Sequence, residues 1–478
     1  MDAALLPLAP LVVVAGTTVV LILLDLLPPR TSKVHLGVVA LVGIVATLVS
    51  ALFLWGRAGR AFSGVVVLDN FALFFDVVIC YAVALVLLLS LDYLRRNGME
   101  RGEYYILVLF ATLGMLLMAH AADLIVIFLA LELMSLSLYV LAGFFQARLT
   151  AAESAMKYFL LGAFATGFFV YGIALIYGAA GTTALDRVGA ALGSATRDPL
   201  LLIGLGLLLV GFGFKISSVP FHMWAPDVYE GAPTSVAALI ATGSKAAGFA
   251  GLLRVLLSTF RGAQPDWTAL LWVLAVLTMT VGNVVAIAQS NLKRMLAYSS
   301  IAHVGYMLVG VVAGGPLGAG GVLFYLLVYS FATAGAFGVI LLLERGRQEA
   351  VNQDDYGGLA ARHPVLALTL ALFLLSLIGM PPTAGFAGKF YLFGAAVRSG
   401  YIWLAVIAVL NSAVAAYYYL RVIVYMYMRD QEGVPTEPAP SFAGRLALGI
   451  ALWGVFQLGL MPAPVLDLAQ AAVAPLLR

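Results

Sequence analysis

The chain consists largely of apolar runs about twenty residues long, and this pattern restricts its fold more than any other feature. A helical run of that length crosses the roughly 30 Å hydrocarbon core of a bilayer. Within that core every backbone polar group must bond inside the protein, so only helices and closed barrels cross it. Of 478 residues, 63% are hydrophobic and only 10% are charged, which excludes a soluble domain. We therefore predict an all-α polytopic membrane protein.

About fourteen transmembrane spans are predicted from these runs. They lie near 5–27, 35–56, 66–91, 104–120, 122–145, 152–178, 199–229, 233–260, 266–289, 295–314, 317–344, 363–397, 400–428 and 446–465. The seventh is interrupted near Pro220, and the twelfth at Gly379–Pro382. The first run has no basic residue before it and is long enough to span, so we predict a retained helix and not a cleaved signal.

The two interrupted spans lie five spans apart, and each carries a lysine. This spacing fits two five-helix repeats, spans 4–8 and spans 9–13, and the odd number of spans makes the second inverted relative to the first. The predicted boundaries are an amino-terminal three-helix segment at 1–103, repeats at 104–260 and 261–428, and a last span with its tail at 429–478. Two ordinary proline kinks are the alternative interpretation.

The charge of the loops predicts the orientation of the bundle. Loops after odd-numbered spans hold about thirteen Lys and Arg, and the other loops with the tail hold about seven. Basic loops stay in the cytoplasm, so the loops after odd-numbered spans are predicted to be cytoplasmic and the amino terminus to face outside. Because the number of spans is even, the carboxyl terminus is predicted to face outside as well.

Six of the 26 basic residues remain inside the predicted spans. They are Lys157, Lys215, Lys245, Arg254, Lys389 and Arg421. Arginine keeps its proton in proteins, whereas a buried lysine can change its pKa by several units. Lysine inside the membrane and arginine in the loops therefore indicate sites that gain and lose protons.

Lys245 is the most constrained of these residues. It lies twelve residues into its span, about 18 Å along the helix and near the bilayer centre. A lysine there costs roughly 2.5–3.5 kcal/mol unless protein or water receives it, which favours a functional role. Snorkelling of the side chain to the membrane surface is the alternative. It fits Arg254 and Arg421 well and stays open for Lys157.

Glu132 is the matching acid, about 15 Å into span five. A buried carboxylate requires a cationic partner, and Lys215 or Lys157 is the natural candidate. His222, in the break of span seven, and His303, in span ten, fit either a proton relay or simple packing. For Asp76 we favour a structural or partner-contact role, and the role of Asp69 stays open.

Redox chemistry within the chain is not predicted. Cys80 is the only cysteine, so it cannot form an internal disulfide or hold an iron–sulfur cluster. The sequence contains no dinucleotide fingerprint, haem-attachment motif or metal-binding His pattern. Neither a bound cofactor nor a metal is therefore expected, and nothing indicates nucleic-acid binding.

The segment KISSVPFHMWAPDVYEGAPTSVAALIATGSK resembles the signature of the antiporter-like membrane subunits of respiratory complex I. LALELMSLSLYVLAGF and IGMPPTAGFAGKFYLF are similar at two further places in that family. One branch of the family has a lysine at the second helix break, where a sister branch has a glutamate. This chain resembles the lysine branch in that lysine and in the segments PDVYEGAPT and TGSK. The resemblance covers nearly the whole chain, and the motifs are specific as a set.

The resemblance implies a role for each position. Glu132 falls on the acid of span five, which is expected to pair with Lys215. Lys157 and Lys245 fall on the lysines of spans six and eight, and Lys389 falls on the exit-side lysine of span twelve. His222 and His303 are similar to further members of the central relay.

The resemblance also implies the setting. The chain would be a cofactor-free, proton-translocating subunit of NADH:quinone oxidoreductase in the bacterial cytoplasmic (inner) membrane. NADH, FMN, iron–sulfur clusters and quinone would bind in partner subunits, and M- and K-type membrane subunits would be its neighbours. A subunit of a multi-subunit sodium/proton antiporter is the first alternative, and an inert membrane scaffold is the second. A permease is less favoured because no polar pocket beyond the lysines is readable.

Overall fold

The computed structural model describes residues 8–27, 32–145, 147–194, 198–344, 351–430 and 441–477. Within these ranges the chain forms twenty α-helices and one two-stranded hairpin. The helices are α1 (Ala9–Asp25), α2 (Val34–Phe53), α3 (Asn70–Arg96), α4 (Gly102–His120), α5 (Leu124–Ala142), α6 (Leu149–Ala180), α7 (Leu185–Ser194), α8 (Pro199–Ile216), α9 (Trp224–Gly231), α10 (Thr234–Leu239), α11 (Lys245–Arg254), α12 (Gln264–Ile287), α13 (Leu292–Ala313), α14 (Gly315–Leu343), α15 (Leu359–Arg362), α16 (Pro364–Ile378), α17 (Ala384–Arg398), α18 (Ile402–Met428), α19 (Phe442–Leu460) and α20 (Ala463–Val473). Strands β1 (Gly59–Ala61) and β2 (Val66–Leu68) pair antiparallel, with Gly59 opposite Leu68.

The fourteen predicted spans each correspond to a helical element. Twelve helices in the described ranges are long and apolar enough to cross a membrane, counting Thr234–Thr259 as one. The remaining two spans are α1, which has 17 residues, and the broken pair α16 and α17, which has 15 in each half. The predicted all-α, polytopic architecture is therefore confirmed.

Burial divides the helices into a central group and a peripheral group. The most apolar windows of Thr234–Thr259 and α14 are completely buried, and that of α13 is 94% buried. In contrast, only 39% of the corresponding windows of α2, α12, α18 and α19 is buried. A helix that is apolar all round belongs in the interior, whereas a peripheral helix presents apolar residues to lipid or to a partner.

Small residues allow the helices to approach closely. A Cβ atom on Gly282 of α12 would lie 2.6 Å from the backbone nitrogen of Ala302, and one on Gly305 of α13 would lie 2.5 Å from that of Met279. Each helix therefore places a glycine against the backbone of the other. This is the usual way that membrane helices gain van der Waals contact, because lipid supplies no hydrophobic force between them.

Both predicted breaks are present, and they resemble each other. Helix α8 ends with Ser217 in the left-handed conformation (φ 64°), and α16 ends with Gly379 in the same region (φ 94°). A cis proline follows each, at Pro220 and Pro382. The lysine precedes the first break in the sequence and follows the second.

Several segments differ from the sequence prediction. The loop after α6 contains the short helix α7, and the tail contains α20. The predicted third span started at 66, but residues 66–68 form β2 and the helix begins at Asn70. Span eight contains two π-helical turns, of which Ile240–Ser244 directly precedes Lys245. Single π turns often occur at functional sites, and the hydrophobic pattern of the sequence does not predict them.

Candidate functional site

Lys215 and Glu132 lie on neighbouring helices but are not in direct contact. The side chain of Lys215, near the end of α8, is 3% exposed, and its Nζ donates to Ser135 Oγ at 3.0 Å and more weakly to the Tyr158 hydroxyl at 3.4 Å. Glu132 is half-buried, and its Oε1 accepts a hydrogen bond of 2.8 Å from Thr166. The expected ion pair between them is therefore absent from the part of the chain that the structure describes.

A small cavity lies between Lys215 and Thr166, the hydrogen-bond partner of Glu132. It is enclosed by α5, α6 and α8, and its lining includes Ser135, Thr166 and Lys215. Its volume of about 10 Å³ is close to the minimum that one water molecule requires. Thr166 donates a hydrogen bond to Glu132, so the cavity is lined both by Lys215 and by the hydrogen-bond partner of Glu132. The space between Thr166 and Lys215 is therefore large enough for at most one water molecule, and the direct contact that the sequence suggested is not formed.

Lys245 is buried at the centre of the bundle, as its depth in the sequence predicted. Its side chain is 2% exposed, and its Nζ donates to the carbonyl oxygen of Ser300 at 3.1 Å and to the Ser300 hydroxyl. Its ammonium also lies 5.6 Å from the centre of the Tyr329 ring. A Cβ on Gly248, one turn later, would lie 3.5 Å from Lys215 Cγ, so α11 brings the two lysines into one region.

His303 lies between Lys245 and Lys389, and both charges act on it. Its Nδ1 is 2.7 Å from the Tyr325 hydroxyl, and its Nε2 is 3.1 Å from that of Tyr419. Both partners are hydroxyl groups that donate or accept, so either imidazole tautomer is accommodated. This environment can pass a proton in either direction.

Lys389 is the last residue in a series that begins with Glu132 and continues through Lys215, Lys245 and His303. It lies in α17, after the second break. Its Nζ donates to the carbonyl oxygens of Leu377 and Ile378, at 3.0 and 2.8 Å, and to Ser412 Oγ at 2.8 Å. The two carbonyls belong to the last turn of α16, whose end carries partial negative charge. The end of a half-helix thus forms a cation site, as in other membrane proteins with broken helices.

Two of the predicted site residues lie outside this buried series. Lys157 is 43% exposed and forms ion pairs of 2.7 Å with Glu153 and Asp227, so it is not a deeply buried lysine. Its second partner, Asp227, also accepts from Arg294 at 2.7 Å. His222 is half-buried in the break, and among the described residues its Nδ1 has no hydrogen-bond partner.

Several buried charges have partners that the sequence did not predict. Arg254 does not snorkel: its guanidinium binds both carboxylate oxygens of Asp69, at 2.9 and 3.0 Å, and is 5% exposed. Asp76 bonds to His120 Nε2 at 2.9 Å, and both side chains are fully buried. These partners are distant in sequence, so no local signal identifies them.

Lys293 is a further buried lysine that the span prediction left in a loop. It lies in the first turn of α13, and its Nζ donates to the carbonyl oxygen of Ala232 at 2.9 Å. A local signal did exist, because Asn291 caps the helix through the amide nitrogens of Lys293 and Arg294. The Asn291 cap starts α13 at Leu292, three residues before the predicted span.

The buried lysines Lys215, Lys245 and Lys389, an internal carboxylate and two broken helices define a class of protein. This is the architecture of antiporter-like membrane proteins, in which unwound backbone lines the site near the bilayer centre.

The sequence comparisons agree with this class and narrow it. The family described as NADH:quinone oxidoreductase/Mrp antiporter, TM, matches residues 121–415, and the chain belongs to that family. The matched segment contains every residue of the buried series.

Individual relatives cover nearly the whole chain. NADH-quinone oxidoreductase subunit N of Trichlorobacter lovleyi is 50% identical over 467 residues, which is 97% of this chain and 96% of that protein. A chain in the structure of respiratory complex I from Thermus thermophilus with bound aureothin is 39% identical, with a TM-score of 0.82 over 96% of this chain and 98% of that one.

A chain in the Mrp complex from Dietzia sp. DQ12-45-1b has the same fold. Its TM-score is 0.82 over 100% of this chain and 98% of that one, but it is only 21% identical. This likeness shows the shared fold and nothing more.

Proposed function

We propose that this chain is a proton-translocating membrane subunit of NADH:quinone oxidoreductase and takes the place that subunit N holds there. The observation that carries the proposal is a series of hydrogen-bonded groups that starts at the half-buried Glu132 and continues through the buried Lys215, Lys245, His303 and Lys389. Each lysine keeps its ammonium away from water and bonded to neutral oxygen atoms. The relatives that cover 97% and 96% of the chain support the assignment to this enzyme.

Proton movement begins, in this proposal, with a change of charge near Glu132. A carboxylate stabilises a nearby ammonium, so a shift in the charge or position of Glu132 changes how firmly Lys215 holds its proton. Each pK unit corresponds to 1.36 kcal/mol, and opposite charges at close range change a pKa by one to three units. The small cavity beside Thr166 provides the place where this interaction is adjusted.

The later steps use the second repeat. Lys245 passes its proton to His303 through the Ser300 hydroxyl or water, and the tyrosine hydroxyls around the imidazole connect it with Lys389. Lys389 then releases the proton on the outer side. The ion-pair cluster of Lys157 with Asp227 lies at the edge of the bundle, and we assign proton uptake to it, with His222 as a further group in the break.

The setting follows from the same assignment. The chain lies in the bacterial cytoplasmic membrane with both termini outside, between M- and K-type subunits. NADH, FMN, iron–sulfur clusters and quinone belong to partner subunits, whose redox reactions supply the energy. The boundaries 1–103, 104–260, 261–428 and 429–478 are our proposed division of the chain.

A sodium/proton antiporter subunit is the alternative function, because that family branch shares the fold. The identities favour the oxidoreductase: 50% to a relative with that name against 21% to the Mrp chain. Purification of the tagged chain from its native membrane separates the two. Flavin and iron–sulfur spectra in the purified complex support the oxidoreductase, and small membrane partners without them support the antiporter.

The proposed role is tested by NADH-driven proton uptake into vesicles that contain the whole reconstituted complex. We expect Lys245→Ala and Glu132→Ala to reduce uptake strongly while the complex still assembles. Lys33→Ala is the matched control, because Lys33 lies between α1 and α2 and pairs with Asp25 at 2.6 Å. Uptake at the wild-type rate in both test variants would favour an inert scaffold.

A further inference from the structure

Helix α19 has two faces of different character. Its inner face, which includes Leu448, Ala451 and Val455, is buried against the bundle. Its outer face is apolar and exposed: the exposed fractions are 83% for Phe442 and 59% for Trp453. A groove lies on each side of this outer face.

The first groove lies between α19, the end of α14 and the beginning of α16, and has a volume of about 560 Å³. The second lies between α19, α2 and α3, and has a volume of about 890 Å³. Arg445 and Gly449 line both grooves. The two grooves therefore meet at one turn of α19.

The grooves are cationic at one end and apolar along their length. Arg445 is exposed in the first turn of α19, and Arg362 and His363 line the first groove beside it. The remaining lining is almost entirely aliphatic or aromatic, and in the described chain no acidic side chain lines either groove. Trp453 lies eight residues beyond Arg445, about 12 Å farther along the helix.

Gly449 creates a notch where the grooves meet. A Cβ atom built on this glycine would have no heavy atom within 4 Å, so the space above it is open. Gly449 follows Arg445 by one helical turn and is on the same face. A branched ligand that binds Arg445 can thus contact the backbone at Gly449 and place one of its branches in each of the two grooves.

We propose that this surface binds one anionic phospholipid, with its phosphate on Arg445, its glycerol over Gly449 and one acyl chain in each groove. The occupant is chosen by charge complementarity: the mouth carries the exposed Arg445, and no carboxylate of the described residues lines it, which favours a ligand with net negative charge. Basic pockets between membrane helices bind anionic headgroups for this reason. Arg445 and Arg362 flank predicted loops on the more basic side of the chain, where anionic lipid also attracts arginine.

This site is independent of proton transfer. None of its residues belongs to the series from Glu132 to Lys389, so it can be tested whether or not the proposed function holds.

The test uses the whole purified complex in nanodiscs with a trace of photoreactive phosphatidylglycerol, or of photoreactive phosphatidylcholine in parallel. Labelled peptides are identified by mass spectrometry. In the wild type we expect phosphatidylglycerol to label peptides of α19 more strongly than phosphatidylcholine. Arg445→Gln should remove that preference with a decrease of about fivefold, since one arginine near anionic lipid contributes about 1 kcal/mol.

A steric variant provides a second, independent readout. Gly449→Leu adds a side chain to open space, so the fold should tolerate it while the notch is filled and labelling by both lipids falls. Arg398→Gln and Gly394→Leu are the matched controls. They form the same Arg and Gly pair, one turn apart on α17; Arg398 is exposed, and Gly394 likewise has no heavy atom within 4 Å of a Cβ.

Three outcomes would overturn the proposal. Equal labelling of wild-type α19 by the two lipids would show no selectivity for negative charge. A preference unchanged in Arg445→Gln would remove the proposed phosphate contact. Absence of any labelling at α19 in the intact complex would show that a neighbouring protein subunit covers this surface.

Discussion

Lys245 has few neighbours that can hold its ammonium group, and this scarcity makes its identity critical. Its hydrogen-bond partners are the two oxygen atoms of Ser300, and the Tyr329 ring lies 5.6 Å from its ammonium. A compact ammonium that can lose its proton fits such a place. A guanidinium that keeps its proton and needs several acceptors does not.

The first prediction therefore concerns the type of charge at this position. Lys245→Arg should leave the complex assembled but reduce NADH-driven proton uptake at least tenfold, because arginine does not release its proton. Lys33→Arg, at a partly exposed lysine with an acidic partner, should pump like the wild type. Normal uptake in Lys245→Arg would exclude proton exchange at this residue.

Asp69 and Arg254 contribute in a different way, through stability. Burial by itself would raise the pKa of Asp69, but the charge and hydrogen bonds of Arg254 outweigh it and hold the pKa below its ordinary value of 3.8. Because the pKa is lower in the folded state, this carboxylate stabilises the fold fully above about pH 4. The contribution is lost as the pH falls through the lowered pKa.

The second prediction is that Asp69→Asn lowers the free energy of unfolding by about 3–5 kcal/mol at neutral pH, because it leaves a buried guanidinium without its counter-charge. Thermal denaturation of the purified complex measures this loss. Asp186→Asn is the control, since Asp186 and Arg60 form an exposed pair in which the side chains are 59% and 65% exposed. A pair of that kind contributes about 0–1 kcal/mol. Equal effects of the two substitutions would contradict the structural role.

At the scale of elements, the broken helices position the site because their ends supply backbone partners. The carbonyl groups in the last turn of α16 have no following helical turn whose amide groups could donate to them. Lys389 donates to two of these carbonyl groups, those of Leu377 and Ile378. Gly379 ends that helix with a positive φ, which other residues adopt only at a cost. The break and the lysine therefore form one unit.

The third prediction tests this unit with Gly379→Ala. The left-handed conformation costs a non-glycine residue about 1–2 kcal/mol, and the new Cβ would lie 3.0 Å from Lys389 Cδ. We expect lower thermal stability together with reduced proton uptake. Gly394→Ala, within α17 and in open space, should be neutral or slightly stabilising. Wild-type uptake in Gly379→Ala would show that the exact position of Lys389 is unimportant.

For the whole molecule, the position of Glu132 indicates a protein neighbour. Glu132 is only half-buried, and one turn before and after it Leu129 and Leu136 are 54% and 53% exposed on the outer surface of α5. A carboxylate at this depth is too costly to place against lipid. The surface of α5 around Glu132 is therefore expected to contact another subunit.

The fourth prediction measures that contact by labelling Leu136→Cys with a membrane-permeant maleimide. Labelling should be fast in the isolated chain and slow in the assembled complex, where the neighbour covers α5. The background is low because the native Cys80 is completely buried. Equal rates in the two states would place this face of α5 against lipid.

Much of this protein was predictable from its sequence, because the bilayer constrains each membrane-spanning segment separately. Each span must be a helix, and a lysine or proline within one must have a structural or functional reason. The fourteen spans, both breaks and the burial of Lys215, Lys245 and Lys389 follow from that rule, since it depends only on distance along a single helix.

The partners of the charged residues were decided by tertiary structure alone. Thr166 and not Lys215 bonds to Glu132, Asp69 holds Arg254, and tyrosines from α14 and α18 surround His303. These groups lie tens to hundreds of residues apart in the chain, and packing determines which of them meet. The depth of a residue in the membrane follows from its position along one helix, so the sequence determines it. Which side chains meet between helices depends on the packing of the whole bundle, so only the tertiary structure determines it.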